Sequence, residues 1–365
     1  MDTGPGALES MVIDSDFWRG REVLLTGHTG FKGSWLSLWM NALGARVTGL
    51  ALAPPSEPNL YHAASVSSVV ADVRGDVRDL GCVSATISER RPEVIFHLAA
   101  QSLVRESYQN PVETYATNVM GVVNVLEAAR RTDSVKVVVI VTSDKCYENS
   151  DADCGHRESD AMGGFDPYSS SKGCAELVTA AMRRSFFQQP NAAVIASTRA
   201  GNVIGGGDWA ADRLVPDLIT AFHEKRAASI RNPAAVRPWQ HVLEPLAGYL
   251  LLAQSLYARS ELAGGWNFGP ALSDAKPVGW VADRLVAHWG GDAGWGNDGR
   301  EHPHEAQTLR LDCSKALTVL GWAPRLSLDD ALRNTAEWYR AWLSGRDMRE
   351  FSLQQIDDYQ CMGPR

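Results

Sequence analysis

The 365-residue sequence lacks the residue groupings that mark metal sites and disulfide frameworks. Its six cysteines are scattered and form no Cys-x-x-Cys pair, and His302 and His304 are the one close pair among nine histidines. We therefore expect no metal site. We also expect reduced thiols, as in a cytoplasmic protein, rather than disulfides.

Long apolar runs and basic runs are missing as well. No stretch approaches the ~20 apolar residues that a membrane span requires, and residues 1–20 carry four acidic residues in place of a signal-peptide core. The net charge is −8 and no run is rich in lysine or arginine, which argues against a nucleic-acid partner. An anionic ligand would therefore have to be bound by a local cluster of arginines.

The composition, with 45% hydrophobic and 21% charged residues, is typical of a globular protein of one or two domains. Its most informative stretch begins with an apolar run at residues 23–25, which indicates a buried strand. Gly27, Gly30 and Gly33 follow at a three-residue spacing, and an apolar face at helical spacing continues to Gly44. A strand, a glycine turn and a helix in this order can bind a pyrophosphate at backbone N–H groups. A tight connection without a ligand is the alternative.

The rest of the first half alternates between strands and helices. Strands are predicted at residues 45–52, 69–76, 92–100, 135–142 and 192–199, and helices at 111–131 and 168–188. This alternation predicts an α/β fold of Rossmann type, with a doubly wound parallel sheet that binds ligands at the carboxyl ends of its strands. The core-facing positions predicted for the first of these helices are Tyr115, Val119, Val122, Val123, Leu126 and Ala129.

The alternation loosens beyond about residue 205, where glycine, proline and tryptophan become denser. We predict a flexible leader at residues 1–20, with Phe17 and Trp18 packing ahead of the first strand. Residues 21–204 would form the dinucleotide-binding Rossmann domain, interleaved with parts of the later chain. Residues 205–350 would form mainly a smaller substrate-binding region, and residues 351–365 a C-terminal tail.

Tyr168 and Lys172 are four residues apart in Tyr-Ser-Ser-Ser-Lys, which places them on one face of a helix. A phenol is a poor base at neutral pH, but a nearby lysine cation favours the phenolate. Ser143 ends the preceding strand, and its hydroxyl can donate to and accept from a substrate hydroxyl. Together the three residues suit alcohol oxidation, with the hydride passing to a nicotinamide. A solvated helix face and a serine that caps a turn are the alternatives.

Four segments carry a family resemblance, at residues 26–35, 142–149, 199–209 and 236–243. They resemble the extended short-chain dehydrogenase/reductase superfamily, the NAD-dependent epimerases and dehydratases, and the match extends over about residues 20–325. Its nucleotide-sugar dehydratases carry an acid pair after the catalytic hydroxyl. Here Asp144 and Lys145 follow Ser143, as in the CDP-glucose 4,6-dehydratase subgroup.

The resemblance implies a hydro-lyase that converts CDP-glucose to CDP-4-keto-6-deoxyglucose, with bound NAD reduced and reoxidised in each turnover. It implies Tyr168 as the base at the sugar 4-hydroxyl, Asp144 as the acid at the departing 6-hydroxyl and Lys145 as the group near the C5 proton. A protonated lysine cannot accept a proton. Lys145 would therefore act either as a neutral amine or as a charge that stabilises the enolate.

The implied binding residues fall into two groups. The cofactor contacts are Gly27, Thr29, Gly30, Phe31, Lys32, Gly33, Asp76, Val77, Leu98, Ala99, Ala100, Tyr168 and Lys172. The substrate contacts are Gln101, Arg105, Asn202, Arg213, Arg237 and Gln240; arginine suits a pyrophosphate because its planar fork matches paired oxygens. The second strand ends without the acidic residue that often holds the adenosine ribose. The residues alone therefore leave NADP open, whereas the resemblance implies NAD.

Alternatives on the same scaffold are a dehydratase for another nucleotide sugar and an epimerase. The pair Asp144 and Lys145 argues against an epimerase, which needs no acid there. A non-catalytic cofactor-binding protein is disfavoured because the chain keeps Tyr168 and Lys172. The resemblance also implies a homodimer or homotetramer, and a place in deoxysugar biosynthesis for a surface polysaccharide such as the O-antigen of lipopolysaccharide.

Overall fold

The computed structural model describes residues 12–148, 154–299 and 308–363. Residues 1–11 of the predicted leader, Asn149 and the pair His302 and His304 lie outside these described residues. Within the described part of the chain, no three His, Cys, Asp or Glu side chains are grouped so that they could hold a metal ion. None of the helices in these ranges is long and apolar enough to cross a membrane.

The secondary structure alternates through the first half and is shorter and more varied in the second. The strands are β1 Glu22–Thr26, β2 Arg46–Ala51, β3 Ala71–Arg74, β4 Val94–His97, β5 Val137–Val141, β6 Val194–Ala200, β7 Asn202–Ile204, β8 Ala228–Ile230, β9 Val236–His241, β10 Gly264–Phe268, β11 Ala275–Pro277 and β12 Trp295–Asn297. The α-helices are α1 Ser15–Trp18, α2 Phe31–Ala42, α3 Leu60–Ala63, α4 Leu80–Arg90, α5 Val104–Gln109, α6 Pro111–Tyr115, α7 Gly121–Arg130, α8 Pro167–Phe186, α9 Leu214–His223, α10 Leu243–Ala258, α11 Val278–Trp289, α12 Ser314–Leu320, α13 Leu328–Leu343 and α14 Met348–Cys361. A π-helical turn, Ala116–Met120, joins α6 to α7, and short 3₁₀ turns lie at Val66–Ser68, Asp144–Cys146, Ser260–Leu262 and Leu272–Asp274.

In the described residues, seven strands form one parallel sheet in the order β10-β6-β5-β4-β1-β2-β3. The chain builds outward from β1 in both directions, through β2 and β3 on one side and through β4, β5 and β6 on the other. Such a switch in strand order leaves a crevice beyond the carboxyl ends of β1 and β4. The predicted fold class is confirmed.

Each central strand contributes to two hydrophobic cores, because successive side chains point to opposite faces of a sheet. In β1, Val23 and Leu25 belong to the core that also contains α2, α10 and α13, whereas Leu24 belongs to the core formed with α4, α7 and α8. In β5, Val139 belongs to the first of these cores and Ile140 to the second. Helices therefore cover both faces, and only the carboxyl edge stays open for ligands.

The chain beyond β6 extends the main sheet and also forms smaller sheets of its own. Strand β10 extends the main sheet, and α10 packs against β5 and β6. Strands β7, β9 and β11 form a separate three-stranded sheet, and β8 pairs with β12. The division into domains at residue 204 stays a prediction.

The helix predicted over residues 111–131 forms with an interruption. Its π-helical turn adds a residue to one turn and so rotates the residues before it relative to those after it. Tyr115, predicted to face the core, is consequently 36% exposed. Val122, Leu126 and Ala129, which follow the turn, are buried as predicted.

Residues 15–18 of the predicted leader and residues 351–361 of the predicted tail are helical. Helix α1 buries Trp18, and the ring of Phe17 meets that of Trp18 edge-on at 4.9 Å, which matches the predicted packing of this pair. The tail prediction is corrected, because residues 351–361 belong to α14. Helix α14 buries Ile356 and Tyr359 at helical spacing, and the Tyr359 ring packs on that of Trp39 at 5.7 Å.

Candidate active site

A cleft of about 920 Å³ runs along the carboxyl edge of the main sheet. It starts at the glycine turn after β1, passes the ends of β4 and β5, and continues to α9, β8 and β9. The predicted site residues that line it are Gly27, Thr29, Gly30, Phe31, Lys32, Gly33, Asp76, Val77, Leu98, Ala99, Ala100, Gln101, Arg105, Ser143, Asp144, Lys145, Tyr168, Lys172, Asn202, Arg213 and Arg237. The fold thus brings together residues that lie up to 210 positions apart in the sequence, from Gly27 to Arg237.

Gln240 is the predicted site residue that the cleft does not include. Side chains alternate between the two faces of a strand, and in β9 it is Arg237 and Trp239 that line the cleft. Gln240 therefore points away, is 2% exposed, and donates a 2.8 Å hydrogen bond from Nε2 to the carbonyl oxygen of Phe268. The structure corrects its placement among the substrate contacts.

The glycine turn is shaped for close approach of a ligand. Gly27 has φ +78°, and a Cβ there would lie 2.7 Å from the backbone nitrogen of Ala99. A Cβ on Gly33 would lie 2.1 Å from the carbonyl oxygen of Gly27, so larger residues cannot occupy either position. Gly30 precedes α2 without a side-chain cap, which leaves the first N–H groups of the helix available to a pyrophosphate. These features fit a dinucleotide.

The adenosine end of the cleft is built without a carboxylate at the end of β2. Thr29 donates from Oγ1 to the carbonyl oxygen of Leu52 at 3.1 Å, which closes the loop onto that strand. Asp76 lines the same end and accepts hydrogen bonds from Arg78, whose guanidinium holds the pKa of Asp76 below its usual range. Asp76 is thus an ionised group already paired with an arginine.

Lys32, in the glycine turn, points toward the middle of the cleft. Burial, with a smaller effect of the nearby cations Arg213 and Lys172, lowers the pKa of Lys32 to about 7, whereas Asp144 and Asp208 oppose the shift. These electrostatic neighbours belong to the region around Ser143. Lys32 is therefore not positioned as a partner for a phosphate on the adenosine ribose.

Tyr168 and Lys172 lie one turn apart near the start of α8. Asp166 caps the helix by accepting from the backbone nitrogen of Ser169 at 2.9 Å, and the backbone nitrogen of Tyr168 donates to Oγ of Ser107 at 3.1 Å. Both Tyr168 and Lys172 are buried at the cleft wall. The spacing predicted from the sequence therefore places both functional groups at the same point.

Burial at the cleft wall shifts the pKa values of Tyr168 and Lys172. Burial raises the pKa of Tyr168 to about 12, and hydrogen bonding with Ser143 partly opposes this shift. Burial also lowers the pKa of Lys172 to about 8, although Glu176 nearby opposes that change. Without a ligand the phenol is protonated at neutral pH, so activation of Tyr168 requires additional positive charge in the cleft.

Asp144 is a buried carboxyl with one oxygen still unengaged. Its Oδ1 accepts a 2.9 Å hydrogen bond from Oγ of Ser143, and its Oδ2 has no hydrogen-bond partner among the described residues. Burial raises the pKa of Asp144, while the charges of Lys145 and Arg237 oppose the shift. A buried carboxyl with a raised pKa can hold a proton for donation.

Lys145 follows Asp144 in the same short 3₁₀ turn. Its backbone nitrogen donates to Oγ of Ser143 at 3.2 Å, so the turn is capped by the serine. The side chain is half-buried at the cleft, and its ammonium has no hydrogen bond or ion pair with any residue that the structure describes. Lys145 is thus available to a substrate, next to Asp144.

Three of the predicted site residues are arginines that line the cleft, and Arg78 and Arg231 line it as well. Arg237 is 6% exposed and donates from Nη1 to the carbonyl oxygen of Val236 at 2.9 Å. Arg213 pairs with Asp208 at 2.8 Å and donates to Oγ of Ser102 at 2.9 Å. The third, Arg105, pairs with Asp212 at 3.3 Å. The cluster supplies the local positive charge that an anionic ligand needs in a protein of net negative charge.

The loop after β4 is held by a residue that the sequence did not reveal. Asn118, in the π-helical turn, accepts from the backbone nitrogen of Gln101 and donates to its carbonyl oxygen, both at 2.9 Å. The side chain of Gln101 bonds Thr114 at 2.9 Å and the carbonyl oxygen of Leu103 at 3.0 Å, so its Nε2 is engaged within the protein. A π-helical turn often marks a functional site, but nothing in the α-helical spacing predicted one here.

The arrangement suits two kinds of chemistry in one cleft. A phenol and a serine hydroxyl beside a buried lysine can remove a proton from a sugar hydroxyl during oxidation. A carboxyl with a raised pKa directly beside them can protonate a leaving group. A Rossmann-type fold with such a site defines a nicotinamide-dependent enzyme that acts on alcohol carbons and can also eliminate.

Comparison with protein families agrees with this class. The model of the NAD dependent epimerase/dehydratase family matches residues 23–261. This chain belongs to that family, which confirms both the family resemblance and NAD as the cofactor.

Individual relatives include dehydratases and epimerases. The chain is 51% identical over 353 residues to the CDP-glucose 4,6-dehydratase of Salmonella typhimurium, a match that covers 95% of this chain and 98% of the relative. Among solved structures it resembles a dTDP-glucose 4,6-dehydratase of Streptomyces venezuelae with a TM-score of 0.74, 24% identity and coverage of 89% and 98%. It also resembles the UDP-glucose 4-epimerase of Thermotoga maritima with a TM-score of 0.75, 20% identity and coverage of 88% and 99%. These two likenesses concern the fold.

Proposed function

We propose that this protein is a CDP-glucose 4,6-dehydratase, which converts CDP-glucose to CDP-4-keto-6-deoxyglucose and water. The observation that carries the reaction type is the buried carboxyl of Asp144, hydrogen-bonded to Ser143 and next to Lys145, in the same cleft as Tyr168 and Lys172. The nucleotide is supported by the 51% identity to the Salmonella dehydratase over almost the whole chain.

The chain's own residues carry out the first stage at the sugar 4-hydroxyl. Tyr168, as phenolate, accepts the proton of that hydroxyl, and Ser143 orients the hydroxyl by hydrogen bonding. The Lys172 ammonium favours the phenolate because the two groups are one helical turn apart. NAD would be held by the glycine turn and would supply reversible hydride transfer, from C4 and back to C6, so that no net oxidation occurs.

The second stage is loss of water between C5 and C6. A ketone at C4 acidifies the C5 proton, which then leaves as the 6-hydroxyl departs. Asp144 gives its proton to that hydroxyl, which leaves as water. Lys145 acts at C5, either as a neutral amine that takes the C5 proton and returns it when the hydride reaches C6, or as a cation that stabilises the enolate while another base takes and returns that proton.

The remaining predicted contacts would hold the two ligands. We assign the pyrophosphate of the sugar nucleotide to Arg213 and Arg237, with Asn202, because guanidinium groups bind paired phosphate oxygens. Gln101 and Arg105 are assigned to the hexose side, with Gln101 contributing through the loop that it stabilises. The glycine turn and the residues at the ends of β3 and β4 are assigned to NAD.

The direct test is incubation of the purified protein with NAD and, separately, CDP-, UDP-, GDP- and dTDP-glucose. We expect a 4-keto-6-deoxy product from CDP-glucose and little from the others. Formation of a C4 epimer instead would contradict the dehydratase assignment. Preferential turnover of another nucleotide sugar would contradict only the proposed nucleotide of the substrate.

We also propose that the protein forms a homodimer through the surface of α6, α7 and α8. Helix α8 packs against α6 and α7, and α6 and α8 expose apolar side chains, including Val112 at 82% and Leu177 at 60%. A second copy would bury them, since contiguous exposed apolar patches mark interaction sites. Light scattering on the wild type and on Val112→Glu and Leu177→Lys variants tests this, because a dimer should give way to monomers in the variants.

The proposed product places the enzyme before reactions that use a 4-keto-6-deoxy sugar nucleotide. We propose that it works in the cytoplasm and supplies deoxysugars for a surface polysaccharide such as the O-antigen of lipopolysaccharide. Loss of the gene should then remove deoxysugars from that polysaccharide, and sugar analysis of the polysaccharide would detect the change. An unchanged sugar composition would contradict this assignment.

A further inference from the structure

The short turn at residues 143–146 carries three of the proposed catalytic side chains and is held at both ends. At its start, Thr142 donates from Oγ1 to Oε1 of Glu176 at 2.5 Å. At its end, the hydroxyl of Tyr147 accepts from Nη1 of Arg199 at 2.6 Å. Glu176 and Arg199 are themselves joined, with Oε2 and Nη2 2.9 Å apart. One ion pair therefore contacts both residues that flank the turn.

This ion pair is buried behind the cleft. The side chains of Arg199 and Glu176 are 5% and 4% exposed, and neither residue lines the cleft. Burial disfavours the charge of Glu176, but hydrogen bonds from Arg199, Ser197 and Thr142 outweigh it and keep the pKa of Glu176 below its usual range. The pair is therefore charged at neutral pH, and removal of one partner would leave the other charge buried and unpaired.

The pair also connects the turn to the rest of the site. Glu176 lies one helical turn after Lys172 in α8, and its charge favours the ammonium of that lysine. On the other side, the Tyr147 hydroxyl donates to Oδ1 of Asn267 in β10 at 2.7 Å. Strands β6 and β10, helix α8 and the catalytic turn thus meet at one carboxylate and one guanidinium.

We propose that Glu176 and Arg199 are positioning residues, which fix the turn at residues 143–146 against α8 through the hydroxyls of Thr142 and Tyr147. The inference rests on the proposed function, since it concerns the placement of Ser143 and Asp144 relative to Tyr168. Displacement of a reacting group by about 1 Å can lower a rate by about 10²-fold. Loss of one end of this contact therefore lowers the rate per active site, without removing any group that touches substrate.

The test removes the contact at the Tyr147 end while leaving the ion pair intact. Tyr147→Phe loses one hydroxyl, and we expect kcat per active site to fall between about 10- and 100-fold. The dissociation constants for NAD and CDP should change less than about twofold, because Tyr147 does not line the cleft. Titration of active sites separates a lower rate constant from a smaller folded fraction.

The matched control is Ser197→Ala. Ser197 donates from Oγ to the same Glu176 carboxylate at 2.6 Å, and its side chain has no hydrogen bond with Thr142 or Tyr147 among the described residues. Tyr147→Phe loses two buried hydrogen bonds, with Arg199 and Asn267, and Ser197→Ala loses one, so both variants should lower the melting temperature and Tyr147→Phe should lower it more. Only Tyr147→Phe should lower kcat.

A second variant, Arg199→Lys, keeps the charge but cannot reach Glu176 and Tyr147 with one ammonium as the guanidinium does. It should lower kcat per active site as Tyr147→Phe does. Equal and near-normal kcat values in Tyr147→Phe, Ser197→Ala and Arg199→Lys would overturn the inference. A wild type that does not dehydrate CDP-glucose would instead overturn the proposed function, so the two failures are distinguishable.

Discussion

Lys172 donates a 3.2 Å hydrogen bond from Nζ to the carbonyl oxygen of Val141, the last residue of β5. This contact joins the helix that carries Tyr168 to the strand that ends just before Ser143. The proposed base and its neighbouring hydroxyl are therefore held together by one buried cation.

Replacement of Tyr168 by Phe keeps the ring but removes the proton acceptor. Turnover of CDP-glucose should fall by about 10²–10⁴-fold, since general-base catalysis contributes that much. The dissociation constant for CDP-glucose should change little. Tyr257→Phe is the control, because this surface tyrosine bonds Glu93 on the far side of the protein. Near-normal turnover in Tyr168→Phe would remove Tyr168 from the mechanism.

Replacement of Lys145 by Met should block elimination after oxidation has occurred. The oxidation site of Ser143 and Tyr168 stays intact, so reduced nicotinamide should accumulate on the enzyme when CDP-glucose is added. Its absorbance and the exchange of the C5 proton with deuterated water measure the two steps, and exchange should be slow. Lys136→Met is the control, because this half-buried lysine lies just before the first residue of β5, at the opposite end of that strand from the cleft. Rapid turnover with full deuterium incorporation at C5 would exclude Lys145 from the elimination.

Replacement of Arg237 by Ala should weaken binding of the sugar nucleotide by about 1.5–3 kcal/mol, which is the range for a lost charge-assisted hydrogen bond. NAD affinity should be unaffected, because the glycine turn lies at the other end of the cleft. Calorimetric titration with CDP-glucose and with NAD measures both. The exposed Arg284, paired with Asp329, provides the control variant Arg284→Ala. An unchanged affinity for CDP-glucose would show that Arg237 does not bind it.

Glu244 makes stability depend on pH. Burial raises its pKa from 4.5 to about 7, although its carboxylate accepts from the backbone nitrogens of Arg325 and Leu326 at 2.9 and 2.7 Å and from the Tyr359 hydroxyl at 2.7 Å. The pKa of Glu244 is higher in the folded state than in the unfolded state. The contribution of this group to the free energy of unfolding is therefore fully present below pH 4.5 and is lost as the pH rises to about 7. The loss amounts to about 3 kcal/mol at most.

The free energy of unfolding, measured by denaturant titration between pH 4.5 and 7, tests this dependence. Glu244→Gln cannot titrate, so its stability should fall less steeply with pH than that of the wild type, whatever its absolute value. The exposed Glu89 provides the control, since Glu89→Gln should follow the wild-type slope. Parallel slopes for Glu244→Gln and the wild type would contradict the prediction.

Local sequence features determined much of the fold and part of the site. The continuous apolar run at residues 23–25 indicated a buried strand, and glycines at positions 27, 30 and 33 indicated the cradle. The four-residue spacing of Tyr168 and Lys172 was sufficient to place them together. Such features depend on strand and helix periods, which act between near neighbours in the chain. The nucleotide base, by contrast, rests on likeness to a relative.

Tertiary structure decided the orientation and the partners. The pleat of β9 turned Gln240 away from the cleft while Arg237 faces it, and the π-helical turn rotated Tyr115 outward. Packing against Trp39 made the chain's end a docked helix. Glu176 meets Arg199 only because β6 and α8 pack side by side, and no period within either segment encodes that contact. Local patterns in the sequence determine the period of a strand or helix and the spacing of residues along it. Which side chains face the cleft and which ion pairs form depend on the segments that the fold brings together.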